Sequence, residues 1–523
     1  MNRILRSEDM LQRWVVVLLL MAVPAFAWGQ KKTSAPAAKA APQKSAPAKA
    51  APSRPATQSH STTPSRGTTT ASHANTMAGH GTTAGHGTTP ASRGNTTAGH
   101  GTTPANRGNV AAGNRGGSAH QPAGTRNVSL KGGGHASVRA NGSIRSVDRN
   151  GMHIDHGIRG GRTVVSERNG ARIVTRGHGG YVQRAYVTRG GHAYYSRTFY
   201  DHGVYRVGLY RGYGWGGHMY YGYYPGVWFH PGFYGWGWHP WGAPVYWGIG
   251  AWGWGGAPWW GFYGGWWNPY PVYAAPYYWL TDYLIAQQLQ AAYAARAEAN
   301  ADAVAADAAA SGGGGDAAPA PAAAGPVALT PEVKEAIAQE VKAQLAAQQA
   351  QAAQQGGGQT ASAAPAPTTS DNTPPPALDP SQRTFVVDSD VTVVANGQEC
   401  ALSSGDVITR LTDTPDADQN VNASVSATKK GDCASGQTVA VKVDDLQEMY
   451  NHFQENITNG MGEMAKKQGT GGMPAAPDTG TQAGAVTPPP PDTSVAKTLQ
   501  DQQAAADQTE QQVKQDAAGG GGQ

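Results

Sequence analysis

The sequence predicts a mostly low-complexity chain. Within it stand an antiparallel β-meander under an aromatic Gly-rich cover, two isolated helices, and a small β-barrel with a C-terminal helix. Three observations predict it. Gly and Pro number 71 and 35 of 523 residues, and most Ala lies in Ala/Pro/Gln tracts, which bury too little apolar surface to offset ordering entropy. Turn dipeptides recur on a near-regular beat at Asn141-Gly142, Asn150-Gly151, Gly160-Gly161, Asn169-Gly170, Gly179-Gly180 and Gly190-Gly191. Thirteen of the fifteen Trp fall between Trp215 and Trp279.

Residues 1–27 read as a cleaved secretory signal. Arg3, Arg6 and Arg13 precede an apolar run from Trp14 to Val23, and Ala25-Phe26-Ala27 supplies the small residues of a peptidase site. Cleavage is expected after Ala27, with Gly29 as the second option. The apolar run is shorter than the ~20 residues that span a bilayer, which argues against an uncleaved anchor. The mature chain is therefore expected in the periplasm, at the cell surface or outside the cell.

Residues 30–126 are expected to be disordered. Gly-His-Gly-Thr-Thr repeats begin at Gly79, Gly85 and Gly99, with no apolar periodicity to build a shared core. The meander is expected over 130–212. Asn-Gly and Gly-Gly suit two-residue hairpin turns because both central positions take φ > 0. Runs such as Arg162-Thr-Val-Val-Ser-Glu167 and Ala171-Arg-Ile-Val-Thr175 supply the strands between them. Residues 213–278 form the Trp/Tyr/Gly/Pro-rich segment, where repeated Pro excludes a long helix or a central strand.

A helix follows over 279–309, then a linker over 310–329. A second helix over 330–355 has Thr330 as N-cap, Pro331 at its first position, and Val333, Ile337, Val341 and Leu345 as one apolar ridge. That ridge predicts docking or self-association. A disordered linker spans 356–382. Residues 383–466 read as a compact domain of five short strands and a terminal helix bearing Leu446, Met449, Phe453 and Ile457. A disordered tail is expected over 467–523.

Leu402-Ser-Ser-Gly405-Asp406-Val407-Ile408 resembles the "L-x-x-G-D-x-V" segment of bacterial SH3-like domains, with Ile for the final Val and a longer loop from Asp413 to Asn422. The whole layout resembles uncharacterised exported bacterial proteins that join an aromatic Gly-rich segment to a C-terminal SH3-like domain. That resemblance implies a cell-envelope setting.

Charge is divided along the chain. From Asn127 to Trp215 there are fourteen basic and four acidic residues, a net of +10; from Arg383 to Lys466 there are six and thirteen, a net of −7. The two parts are suited to attract each other or to address different partners.

Cys400 and Cys433 are the only cysteines, and in an exported chain such a pair reads as a disulfide. The rival reading is a nucleophile, because Asp432-Cys433-Ala434-Ser435-Gly436 is similar to the Asp-Cys-Ser-Gly motif of cell-wall cysteine peptidases. That family sets the Cys at a helix start with a His downstream in a sheet. Here a strand follows, and the only later His is His452, in a predicted helix. Ser426-Ala-Thr-Lys429 has the spacing of acyl-transfer enzymes without their other motifs. His153 and Asp155 share a strand face, with His156 opposite, but two ligands without a third make only a weak metal site.

The expectation is therefore a non-catalytic protein with no cofactor and no bound metal. It would adhere to peptidoglycan, polysaccharide or an anionic envelope surface through its basic and aromatic middle. Trp236, Trp238, Trp241, Trp252, Trp254, Trp259, Trp260, Trp266 and Trp267 are the candidate contacts, since Trp faces stack on sugar rings; most of these rings are expected to pack as core. Export makes nucleic acid an unexpected partner.

Overall fold

The computed structural model describes residues 122–177, 179–310, 328–355 and 372–519. The expected signal peptide, the Gly-His-Gly repeats, and the linker stretches 311–327 and 356–371 lie outside the described residues. Ten strands succeed one another in space in the order of the sequence. They are β1 (Arg126–Ser129), β2 (His135–Val138), β3 (Ile144–Arg149), β4 (Met152–His156), β5 (Arg162–Arg168), β6 (Ala171–Arg176), β7 (Gly179–Arg189), β8 (His192–Asp201), β9 (Val204–Trp215) and β10 (His218–Tyr224). The β-meander expected from the turn spacing is thus present.

Its limits differ from the expected 130–212. Two further two-residue turns, His202-Gly203 and Gly216-Gly217, with φ of 45° and 85° and of 59° and 80°, carry the sheet on to Tyr224. The residues from Tyr213 to Tyr224, assigned to the aromatic segment, are therefore strand or turn. Gly179 and Gly180 open β7 instead of forming a turn, which falls one step earlier at Gly177. Gly180 answers a different need: a Cβ there would lie 2.2 Å from the Val174 carbonyl oxygen and 3.1 Å from Leu499.

The sheet has one apolar face and one charged face, and the aromatic segment covers only the β8–β10 end, where Tyr194, Leu209 and Tyr224 join its core. Ala136, Val147, Ile154, Val164, Ile173 and Val182 lie beneath helix α7 (Val495–Gly519), which lays Val495, Leu499, Ala506 and Val513 along them. Ala and Gln supply most of the helix between these positions. The tail expected to be disordered from 467 therefore holds a core helix. It also holds strand β18 (Thr481–Ala483), paired with β11 (Val227–Phe229). A periodic apolar stripe overrides a composition that reads as disorder.

The aromatic segment builds a core beyond β10 that takes in Tyr194 and Leu209 of the meander and Val386 and Val407 of the C-terminal sheet. Three short helices, α1 (Pro231–Trp238), α2 (Ile249–Trp252) and α3 (Pro258–Tyr263), use Pro at the starts of α1 and α3, where no N–H is needed. They pack with α4 (Pro276–Ala310), α5 (Pro331–Gln355) and α6 (Val443–Lys467). Neither α4 nor α5 stands isolated. The α5 ridge of Ile337, Val341 and Leu345 is buried in this intramolecular core, so the docking partner of that ridge is the same chain.

The C-terminal part has six antiparallel strands: β12 (Thr384–Val386), β13 (Val391–Ala395), β14 (Gln398–Leu402), β15 (Val407–Arg410), β16 (Asn420–Ala427) and β17 (Thr438–Lys442). Their spatial order is β12-β15-β16-β17-β13-β14. The strand beyond the expected five is β14, formed because Asn396-Gly397, at φ 51° and 75°, turns the chain straight back onto β13. The end of the expected linker is also ordered, with Ala377 and Leu378 buried in this core.

Candidate functional site

The charged face of the meander meets the acidic part of the chain. Arg197, with its side chain 1% exposed, projects from β8 between the rings of Tyr181 and Tyr210, at 4.0 and 3.8 Å. Its two terminal nitrogens donate to the Glu448 carboxylate on α6 at 2.8 and 3.0 Å, and its Nε donates to Gln183 Oε1. Each of the three guanidinium nitrogens thereby donates one hydrogen bond, and the two rings cover its faces, conditions under which a buried charge is tolerated. Arg145 and Arg139 share Glu399 on β14, Arg159 pairs with Asp432, and Arg206 pairs with Glu455. The opposite charges read from the sequence attract each other within the chain.

These contacts do not fill the space between the two surfaces. A cleft of about 1760 Å³ remains, lined among others by Tyr200, Arg206, Tyr263, Arg296, Lys430 and Asp445. Burial in the cleft pushes the Asp445 carboxyl up to about 6, although Lys442 and Arg176 pull it down. Arg296 lies over the Phe262 ring at 4.3 Å, and neither Arg296 nor Lys430 forms an ion pair with a described residue. Sequence reasoning missed this site because it is made by docking. Its only sequence signal is the charge asymmetry.

Cys400 on β14 and Cys433 before β17 are joined in a disulfide with Cα atoms 5.2 Å apart. Both are buried, so Cys433 presents no thiol in this state. His452, the downstream histidine of the rival reading, instead accepts a hydrogen bond from Gln288 Nε2 at 2.8 Å. Ser426 and Lys429 do not meet as an acyl-transfer pair. Ser426 Oγ bonds Thr409 Oγ1, and the buried Lys429 ammonium pairs with Asp406 at 3.3 Å. In the "L-x-x-G-D" stretch Gly405 takes φ 89°, and Asp406 accepts from the backbone N–H groups of Ser403 and Lys429.

None of the nine candidate Trp is fully exposed. Trp241, Trp254, Trp259, Trp266 and Trp267 are buried, and Trp236, Trp238, Trp252 and Trp260 pack half-buried against them. Asp282 on α4 anchors the cluster. It accepts from Trp267 Nε1, Tyr270 N–H and Tyr273 Oη at 3.2, 2.6 and 2.7 Å, and pairs with Lys334 of α5 at 2.7 Å. The exposed rings are others: Tyr246, at 79%, and Phe262, at 47%.

His153 and Asp155 do share a strand face, while His156 turns to the opposite face and meets Glu510 of α7 at 3.2 Å. His153 donates from Nδ1 to Asp148 at 2.6 Å and from Nε2 to Asp155 at 2.7 Å. Burial disfavours the charged ring, but these two hydrogen bonds outweigh it and hold His153 up at about 9. His135 Nε2 lies 3.1 Å from the other oxygen of Asp148.

No family model matches the chain, and neither a curated protein nor a solved structure matches it. The disulfide is compatible with an exported protein, and no helix among the described residues is long and apolar enough to cross a membrane.

Proposed function

We propose that the chain is a non-catalytic, exported protein of the cell envelope or extracellular space that adheres to anionic or polysaccharide envelope polymers, peptidoglycan among them. The observation that carries this reading is the cleft between the basic sheet face and the acidic domain. At about 1760 Å³ it exceeds the ~300–1000 Å³ of small-molecule pockets, and so suits a polymer segment better than a metabolite. Rings at Phe199 and Tyr263 and cations at Arg296 and Lys430 suit sugar rings that carry carboxylates. In this reading the C-terminal sheet, taken as an SH3-like module, forms one wall of the binding site. The half-buried Trp236, Trp238, Trp252 and Trp260 serve as secondary contacts beside Tyr246 and Phe262.

The test is sedimentation with purified peptidoglycan. Deleting 215–279 would remove a core and decides nothing, so point variants are needed. Arg296→Ala combined with Lys430→Ala should weaken binding at least about fivefold with an unchanged melting curve. Unchanged binding by that double variant would remove the cleft from the mechanism.

A further inference from the structure

Among the described residues two Lys–Asp pairs are buried, and their surroundings differ. Lys429 and Asp406 stand 3.3 Å apart among polar groups. The Lys429 ammonium also meets Ser403 Oγ and the Ser404 carbonyl, so each of its three protons has an oxygen partner. Lys334 of α5 and Asp282 of α4 are closer, at 2.7 Å, with side chains 7% and 0% exposed. Here the nitrogen has one other oxygen partner, the Asn268 carbonyl at 2.8 Å, and its remaining side faces the Tyr270 ring at 3.6 Å. We infer that Lys334 and Asp282 condense to an isopeptide bond, a covalent cross-link between α5 and α4.

The hydrogen-bond partners match an amide. Tyr270 N–H and Tyr273 Oη both donate to Asp282 Oδ2, at 2.6 and 2.7 Å, and hold the amide oxygen where it already lies. The single proton left on Nζ keeps the Asn268 carbonyl. The oxygen that departs is Oδ1, beside Lys334. Its other donor, Trp267 Nε1, makes the longest bond of the set, at 3.2 Å. A buried ion pair carries a desolvation penalty that a neutral amide does not. Burial pushes the Asp282 carboxyl up and the Lys334 ammonium down, toward the uncharged acid and amine that condense.

The step needs no further reagent. A proton passes from Nζ to Oδ1, giving amine and carboxylic acid. The nitrogen lone pair then attacks Cγ. The charge that develops on Oδ2 is held by the Tyr270 N–H and the Tyr273 hydroxyl, as in an oxyanion hole. A second Nζ proton joins Oδ1, the Cγ–Oδ1 bond breaks, and one water leaves. Ammonium and carboxylate thus become amide and water, with no change of oxidation state. Groups held in reacting geometry reach effective molarities of about 10⁵–10⁸ M. The surrounding rings, the buried Trp267 and Tyr273 among them, keep water from reversing the bond.

Peptide mapping of the full wild-type chain, folded, then denatured and digested, tests the bond by mass. A branched peptide joining the Asp282 and Lys334 stretches is expected, lighter than its two parts by one water. Lys429 and Asp406 should be recovered unlinked at full mass. Lys334→Arg and Asp282→Ala should each yield only linear peptides. Tyr273→Phe, which removes one donor to Oδ2, should slow the loss of water in newly folded chain at least about tenfold. Asp282 and Lys334 recovered from the wild type in separate linear peptides of full mass overturn the proposal, and this arm needs no variant. So does a linked peptide that persists in Lys334→Arg, because the bond then lies at another residue.

Discussion

The aromatic core and the charged interface join their parts by opposite means. Around Trp279, which is fully buried, the rings of Trp252 and Tyr283 stack at 4.4 and 5.8 Å, and the polar groups converge on one anchor, Asp282. Across the cleft, the charged face of the meander meets β14 and α6 through guanidinium–carboxylate pairs and leaves a large solvent space, while Tyr213, Trp215 and Tyr220 pack into the C-terminal core at the sheet's end. Ring packing is insensitive to salt and pH, whereas ion pairs are set by both. The comparison teaches that one unit of this chain is fixed, while the other is adjustable and carries the cleft proposed for a polymer.

The comparison breaks most sharply at its two centres. Trp279→Ala and Arg197→Ala should each cost about 3–5 kcal/mol, the first by opening a cavity and the second by stranding Glu448. Denaturant melts should then separate them: Arg197→Met combined with Glu448→Leu should recover part of the loss, since the charge cost disappears with the pair, whereas no small residue rescues position 279. If Arg197→Ala costs under 1 kcal/mol, the charged interface is not a structural joint. Next in size is the disulfide. Cys400→Ala combined with Cys433→Ala should lower stability by roughly 3–4 kcal/mol in the chain-entropy model, and a free-thiol assay on the wild-type protein should find none. A reactive Cys433 in that assay would revive the nucleophile reading.

A smaller effect sits where α5 meets β12. Burial pushes Glu340 up to about 7, against hydrogen bonds from Gln344 and from the backbone of Arg383 and Thr384. A carboxyl with its folded value above its unfolded one binds more protons in the native state, so its contribution is full below about pH 4.5 and is lost as pH rises through 7. Glu340→Gln should therefore flatten the stability profile between about pH 4.5 and 7.5, by up to about 3 kcal/mol. A profile unchanged by the substitution would show that the carboxyl is not buried in solution. The smallest effect is expected at Arg206–Glu455, whose arginine side chain is half exposed. Arg206→Ala should cost no more than about 1 kcal/mol, and less still in high salt.

The strand content of the middle was largely legible, because Asn-Gly turns carry their own backbone chemistry. Asn150-Gly151 and Asn169-Gly170 fall at the hairpin tips as the spacing requires. The charge asymmetry also announced a partner for the basic face. Helix α7 was not legible, since Val495, Leu499, Ala506 and Val513 are sparse among Gln and Ala and gain meaning only against a sheet. The SH3-like resemblance located a real turn at Gly405-Asp406, but seven residues do not set a strand order. The cleft and the His135–Asp148–His153 row depend on register and docking, which local sequence does not encode.

Helix α7 gives the molecule a direction in time. A chain delivered from its N-terminus presents β5 to β8 roughly three hundred residues before the helix that covers them. Until then Val147, Ile154, Val164 and Val182 face water or a chaperone, and unpaired sheet of that kind is a template for aggregation. Maturation of this protein therefore waits on residues 495–513. Clipping anywhere in the Pro488–Pro491 connector before they dock would leave the meander uncovered and mark the fragment for degradation.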